Sequence, residues 1–329
     1  MNICSKISNQ EYEILIGNGL IKNIQKYVII PPKVLIVYDR LVDDDFLESL
    51  TGLTKETYLY EVKVKESKKS FKEYKKILSV LIKNEFSKND MIIALGGGVV
   101  TDLCGFVASS YKRGIKLLSL PSTTLSMVDA SIGGKNGINF KGIKNSVGSF
   151  YLPYKVIIDL DVLKSLDERN FNSGLVEAIK CGLIKDNELF NLFLGDINNN
   201  LEEIIYRAIK VKCDLVEKDF YDKNERKLLN FGHTFAHAIE AKMNFKVLHG
   251  EAVAFGINKM LQGEIKEEVN KIFDKLNIKY DFNYSIMDLI DFIKQDKKVY
   301  DDFIDLVVVD EIGKGYIKKM NIAEFLKGE

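Results

Sequence analysis

The sequence has no tryptophan, and it is poor in histidine (three), cysteine (four) and proline (four) across its 329 residues. It also has no excess of either charge, since 47 Lys and Arg balance 47 Asp and Glu. A neutral chain has no general attraction for nucleic acid or an anionic membrane, either of which would call for a basic excess. No apolar run reaches the roughly 18 residues of a membrane helix. The opening residues, MNICSKISNQ, lack the apolar core of a secretory signal. Cys4, Cys104, Cys181 and Cys213 are widely spaced, with no C-x-x-C pair. They read as reduced thiols of a cytoplasmic protein and not as a disulfide framework. What is present is ordinary: 46% hydrophobic and 29% charged residues argue against disorder. The length is about twice that of a typical domain, so two domains are expected.

The first half alternates β-rich runs with helical ones. Ile14–Ile16, Val34–Tyr38, Met91–Leu95, Lys116–Leu120 and Val156–Ile158 are short apolar runs of buried-strand type. Between them, residues 68–84 repeat Phe71, Tyr74, Ile77, Leu78 and Leu81 at helical spacing. Strands alternating with helices predict a parallel sheet covered by helices. From about Ser165 the β-branched runs thin out. Residues 187–194, 201–216 and 225–242 read as helices, and only Phe303–Val309 reads as a strand. The expected organisation is α/β over residues 1–165 and mostly α-helical over 166–329.

Four features point to chemistry. The strand Met91–Leu95 runs into Gly96-Gly97-Gly98 and then an apolar helix. Residues without a Cβ let backbone N–H groups approach an anion at a helix N-terminus, so this is either a nucleotide or phosphate site or a tight turn. A second glycine-rich stretch, Ile132–Asn139, is followed by the basic-polar residues 141–145. Both read as flexible loops suited to an anion, or else as solvated surface. All three histidines fall between positions 233 and 249. His233 and His237 lie on one helix face, and His249 follows twelve residues later. Spacing alone nominates His233, His237 and His249 as three ligands of a borderline metal such as zinc, against the alternative of hydrogen-bonded core histidines. Finally, Glu177 and Lys180 sit inside an apolar helix, where a carboxylate is costly unless paired or metal-bound. Lys212, Arg226 and Asn230 add donors that a phosphate or carboxylate needs.

Taken together, the runs ALGGGVVTDLCGFVAS, DASIGGKNGIN, GIKNSVGSFYLP, SGLVEAIKCGLI, RKLLNFGHTFAHAIEA and LHGEAVAFG resemble the 3-dehydroquinate synthase family of sugar-phosphate cyclases, from about Tyr12 to Gly315. The resemblance implies a Rossmann-like N-terminal domain that binds NAD and an α-helical C-terminal domain that binds substrate and a divalent metal, zinc or else cobalt. It implies metal ligation by Glu177, His233 and His249, which moves His237 to the substrate side. The implied NAD residues are Asp39, Glu66, Lys69, Gly97, Gly98, Val99, Asp102, Ser122, Thr123, Lys144, Ser165 and Leu166. Catalytic roles are implied for Lys135, Lys180, Lys212, Arg226, Asn230 and His237. Substrate contacts are implied for Asp129, Asn145 and Lys297, the last chosen over Lys298. Arg113 is implied to reach the site of a partner subunit in a homodimer.

The implied reaction converts 3-deoxy-D-arabino-heptulosonate 7-phosphate to 3-dehydroquinate and phosphate, within the shikimate pathway. It proceeds by transient oxidation by NAD, phosphate elimination, re-reduction, ring opening and an intramolecular aldol. Other sugar-phosphate cyclases, a metal-dependent polyol dehydrogenase of the glycerol dehydrogenase type and a non-catalytic NAD- and metal-binding sensor are the alternatives. The sequence departs from the family pattern at Thr101, where Gly is usual, at Ser122–Thr124, and at Asn136, where Thr is usual. Asp167 and Asn170 also replace a Pro and a Glu, and the second change removes a cofactor-side carboxylate.

Overall fold

The computed structural model describes residues 1–7, 10–63, 65–294, 299–300 and 303–325. The chain divides into two compact units, Met1–Asp167 and Glu168–Glu329.

The first unit is built on seven strands: β1 (Asn2–Ile7), β2 (Gln10–Gly17), β3 (Lys33–Asp39), β4 (Glu56–Val62), β5 (Met91–Gly96), β6 (Lys116–Pro121) and, after a hairpin, β9 (Lys155–Asp159). Their order is β1-β2-β9-β6-β5-β3-β4, and every pair but β1–β2 is parallel. The period of two sends alternate side chains to opposite faces. Leu35, Val37, Ile92, Ala94 and Leu117 therefore meet Ile77 and Leu81 of α2 (Phe71–Lys83) and Leu103 and Val107 of α3 (Gly98–Ser110) on one face. Val34, Ile36, Met91, Ile93, Leu95 and Leu118 meet Phe46 and Leu50 of α1 (Asp44–Thr51) on the other. Helices on both faces explain why these strands are continuously apolar instead of alternating. Each such Val, Leu, Ile, Met or Phe side chain taken out of water contributes about 1.5–3 kcal/mol, which is why the central strands are legible. Helix α2 begins where it does because the Ser70 hydroxyl accepts a hydrogen bond from Glu73 N, an N-cap.

The stretch 132–145 departs from expectation. It is not a pair of flexible loops but part of an antiparallel hairpin, β7 (Lys135–Phe140) and β8 (Ile143–Phe150). Its alternation is masked in the sequence by glycine and asparagine, which are poor strand formers. The hairpin lies against α3, where Asn136 sits so close to Gly105 that a Cβ there would come within 1.7 Å of Asn136 Oδ1.

The second unit is a set of helices: α4 (Glu168–Lys185), α5 (Asn187–Leu192), α6 (Leu201–Lys218), α7 (His233–Lys242), α8 (His249–Met260), α9 (Gly263–Lys275) and α10 (Ile286–Lys294). A sheet, β10 (Val299–Tyr300), β11 (Phe303–Val309) and β12 (Gly315–Asn321), completes it. Strand β12 is not legible as a strand, since its pattern GYIKKMN is largely exposed and carries no alternation. The helix expected over 225–242 is interrupted. A 3-10 turn at Glu225–Asn230 precedes Phe231 and Gly232, and only then does α7 start. Gly232 has φ +77°, a left-handed conformation that breaks the helix and that L side chains rarely adopt.

Candidate active site

In the first unit the chain passes from β3 outward to β4 and then returns to the other side of β3 as β5. The order therefore reverses between β3 and β5, and in open parallel sheets ligands bind at the carboxyl ends beside such a switch point. Asp39 ends β3, Gly96 ends β5, and Ser122 and Thr123 follow β6. Ser122 N donates to Gly96 O at 3.0 Å, joining two of these ends. Gly97 is the N-cap of α3 and makes no side-chain cap, so the first turn at Gly98 and Val99 has the uncapped N–H groups by which helix N-termini take anions. The space at this point is tight. A Cβ on Gly96 would lie 2.7 Å from Val100 Cγ2, and one on Gly97 would lie 3.2 Å from Thr123 Cγ2. Burial raises the Asp39 pKa, opposed by the hydrogen bond its Oδ1 accepts from Leu41 N at 2.8 Å.

A second cluster of the same unit joins residues far apart in sequence. Lys69, 4% exposed, donates to Asp102 Oδ2 and to Asn145 Oδ1, each at 2.5 Å, with Glu66 Oε1 at 3.7 Å. Burial would lower the Lys69 pKa, but the Asp102 and Glu66 carboxylates outweigh it and raise it, so the ammonium stays charged. Lys144 precedes Asn145 on β8, Lys135 opens β7 and is exposed, and Asp129 lies in a π-helical turn over Ser126–Ala130. Ser165 ends a 3-10 helix and Leu166 follows it. Exposed Arg113 and its neighbour Lys112 both have left-handed backbone, φ +66° and +48°. Strain of that kind persists only where the surroundings impose it, and it concentrates at functional sites.

In the second unit three helices bring together Glu177 of α4, His233 of α7 and His249 of α8, whose ligand atoms lie within 4.8 Å of one another. Two glycines make this approach possible. A Cβ on Gly250 would fall 1.7 Å from Ser173 O, and one on Gly256 would fall 1.9 Å from Gly232 O. Helix α8 thus rests directly on the backbone of α4 at one point and on the turn before α7 at another. The resulting geometry is that of a cation site. Glu177, 2% exposed, accepts a hydrogen bond from Lys180 through Oε2, while its buried Oε1 has no hydrogen-bond partner. Standing off from Oε1 are His249 Nε2 at 3.5 Å and His233 Nε2 at 3.7 Å. An orphaned buried carboxylate oxygen is expensive, and two imidazole nitrogens beside it form the donor set a borderline divalent ion takes.

The outer ring nitrogens are also held. His233 Nδ1 lies 3.1 Å from Phe231 O, and His249 Nδ1 lies 3.3 Å from Glu240 Oε1. Partners on Nδ1 orient each ring so that Nε2 faces Glu177 Oε1. Burial disfavours the Glu177 carboxylate, but the Lys180 ammonium, with His249 beside it, holds its pKa down to about 2. Burial likewise disfavours a charged His249, but the Glu177 and Glu240 carboxylates raise its pKa to about 10.

His237 is exposed, with its ring 5.6 Å from that of His233, and it does not join the three-residue cluster. The spacing-based set of three histidines is therefore replaced by one with a carboxylate. Helical spacing aligns His237 with His233, but it carries no information about α4. Lys180, Lys212 and Arg226 are buried at 1%, 6% and 2%, and Asn230 is half-buried. Arg226 donates through Nη1 to Phe220 O, and its own N–H, with those of Lys223 and Asn224, is accepted by Asp219. Lys297 and Lys298 lie outside the described residues.

Sequence reasoning missed Glu240, Asp219 and Asn139. A signal for Glu240 existed, because it lies seven residues after His233 and so returns to the same face of α7. None existed for Asp219, whose task is to accept backbone N–H groups.

Comparisons with known proteins agree with this architecture. The model for the 3-dehydroquinate synthase N-terminal region matches residues 59–173, and that for the C-terminal region matches residues 174–299. A 3-dehydroquinate synthase from Clostridium beijerinckii is 37% identical over 97% of this chain and 98% of its own length. Two solved structures share the fold. A 2-deoxy-scyllo-inosose synthase complexed with carbaglucose-6-phosphate, NAD+ and Co2+ has a TM-score of 0.87 at 19% identity, covering 99% of this chain and 98% of that one. A 2-epi-5-epi-valiolone synthase from Streptomyces hygroscopicus with NAD+ and Zn2+ bound has a TM-score of 0.87 at 24% identity, covering 98% and 96%. With both family models matching in tandem and a near full-length relative above one-third identity, the chain belongs to the 3-dehydroquinate synthase family.

Proposed function

We propose that this chain converts 3-deoxy-D-arabino-heptulosonate 7-phosphate to 3-dehydroquinate and phosphate, with NAD and a divalent metal, zinc or cobalt, as cofactors. The observation that carries the metal reading is the buried Glu177 Oε1, which has no hydrogen-bond partner and lies within 3.7 Å of two imidazole nitrogens. Bound NAD would accept and return a hydride, and a bound metal would polarise substrate oxygens and make the neighbouring C–H more acidic. Glu177, His233 and His249 would hold the metal, with Glu240 fixing the His249 ring. Asp39, Gly97, Gly98, Val99, Ser122 and Thr123 at the strand ends would hold NAD, helped by Glu66, Lys69, Asp102, Lys144, Ser165 and Leu166. On this reading residues 1–165 form the NAD-binding domain and 166–329 the metal- and substrate-binding domain.

The remaining roles follow from charge and burial. Arg226 and Lys212 are buried cations, suited to bind the phosphate or carboxylate of the substrate where water screens them little. The Asp219 carboxylate accepts the backbone N–H of Arg226 and so fixes the turn that carries its guanidinium. Lys180 keeps Glu177 ionised. Lys135, Asn145, Asp129 and Asn230 supply polar contacts, and Lys297 is assigned with them. His237, exposed on α7, is assigned to the substrate side as a proton-carrying group. Arg113, exposed on a strained turn, would reach the site of the second subunit of a homodimer. A biosynthetic enzyme whose four cysteines form no disulfide suits the cytoplasm.

The test is direct. Purified chain with the heptulosonate phosphate, NAD and zinc should release phosphate without net NADH, and EDTA should abolish the release. Phosphate release that survives complete metal removal would overturn the metal assignment. Turnover of glucose 6-phosphate or sedoheptulose 7-phosphate in its place would move the chain to another branch of the cyclases.

A further inference from the structure

We propose that Asn139 is a positioning residue that ties the dinucleotide side of the first unit to its substrate side. The inference rests on the roles proposed above for Glu66, Lys69 and Asn145. Asn139 lies on β7, and no role is assigned to it by the motif reading. Its backbone N–H donates to Lys69 O at 2.8 Å, and its position bridges Ser70 in parallel. Its side chain divides its two ends between the two groups. Nδ2 donates to Glu66 Oε1 at 2.9 Å and to Glu66 O at 3.2 Å. Oδ1 accepts from Asn145 N at 2.9 Å. A second link closes the ring, since Lys69 Nζ donates to Asn145 Oδ1 at 2.5 Å.

The chemistry explains why the residue is asparagine. The position needs a donor toward a carboxylate and an acceptor toward a backbone N–H on one short planar group. Aspartate keeps the acceptor but sets a second carboxylate against Glu66. Alanine keeps neither. Asn145 has φ +49°, a conformation a non-glycine residue holds only with local support. The Asn139 Oδ1 bond and the Lys69 bond supply that support. A dinucleotide that engages Glu66 or Lys69 therefore acts on the same ring that sets the Asn145 backbone. By linkage the effect is reciprocal, and substrate held by Asn145 tightens dinucleotide binding by the same factor.

Two variants separate the two ends of the side chain. Amide exchange at Asn145 is measured in the free protein, and NAD Kd and the KM for the heptulosonate phosphate are measured with zinc present. Asn139→Ala should speed exchange of the Asn145 amide roughly tenfold, because that amide loses its acceptor. It should also raise both NAD Kd and KM by about five- to tenfold and abolish the tightening of NAD by substrate. Asn139→Asp should leave Asn145 exchange and the KM at saturating NAD near wild type, while still raising NAD Kd. Asn145 exchange within twofold of wild type in Asn139→Ala would overturn the proposal. So would identical behaviour of the two variants in all three measurements, which is what a merely structural brace would give. A wild-type chain that binds no NAD would instead sink the proposed function, and the exchange measurement would still decide whether the tie exists.

Discussion

The two units build their candidate sites by different means. In the first, the strand-end site is made largely by backbone: Gly96–Val99, Asp39 and Ser122–Thr123 stand at the carboxyl ends of β5, β3 and β6 because adjacent parallel strands end together. In the second, the cluster is made by side chains of three helices, and it exists only because α8 rests on bare backbone at Gly250 and Gly256. A backbone site follows from strand order and tolerates change in the residues around it. A side-chain site depends on the separation of helices to a fraction of an ångström.

That contrast can be broken in order of expected effect. The largest belongs to Gly250→Ala. Its Cβ would lie 1.7 Å from Ser173 O, so α8 must move off α4, carrying His249 from Glu177. Overpacking against backbone should cost about 3 kcal/mol or more, visible in chemical denaturation, together with loss of stoichiometric zinc. Wild-type zinc content in a folded Gly250→Ala chain would show that the helix separation does not govern the cluster.

Next is Glu240→Gln. It keeps the shape of the side chain but removes the charge beside His249 Nδ1, and it should weaken zinc roughly 10- to 100-fold by competition with a chelator, leaving NAD affinity unchanged. A fall in NAD affinity of similar size would blur the distinction between the units.

Gly97→Ala probes the backbone site. A Cβ there would stand 3.2 Å from Thr123 Cγ2, which a few tenths of an ångström of movement relieves. NAD should weaken by about tenfold, or 1.4 kcal/mol, while the zinc affinity stays as it was. Titration of each ligand alone checks both halves.

The smallest effect concerns Asp219. Burial raises its pKa, but the N–H groups of Lys223, Asn224 and Arg226 outweigh that and depress it below the usual carboxylate range. A depressed folded pKa means that the stability is present above the unfolded value of about 3.9 and is lost as pH falls through the folded one. Asp219→Asn should cost about 1 kcal/mol at pH 7, with the difference from wild type shrinking below pH 4 in parallel urea titrations. A difference that is constant from pH 7 to pH 3 would remove the charge from the explanation.

Much of the first unit is legible in sequence because its strands are buried on both faces, so Val34–Tyr38 and Met91–Leu95 appear as unbroken apolar runs. The hairpin Lys135–Phe150 is not legible, because glycine, asparagine and serine carry no strand signal and its pairing is set by a partner strand. The helix over 225–242 reads as continuous because periodicity survives a break; the left-handed Gly232 that divides it shows only in the backbone. Likewise His233 and His249 announce themselves by rarity, but Glu177 is one of 47 acidic residues and is marked only by its apolar setting.

By itself, the sequence determined the α/β and helical halves, the glycine loop after β5 and, through its resemblance, the family. Those properties reside in local pattern and in short motifs. Only the tertiary structure decided which nitrogen of each histidine faces Glu177, that Glu177 Oε1 lies between them without a hydrogen bond, and that Glu240 and Asn139 stand behind the residues the motifs name. The reason is physical. A hydrogen bond between residues far apart in the chain depends on how closely two elements approach, and here that is set by glycines at their crossing and by strand register, neither of which is written at the residues that use it.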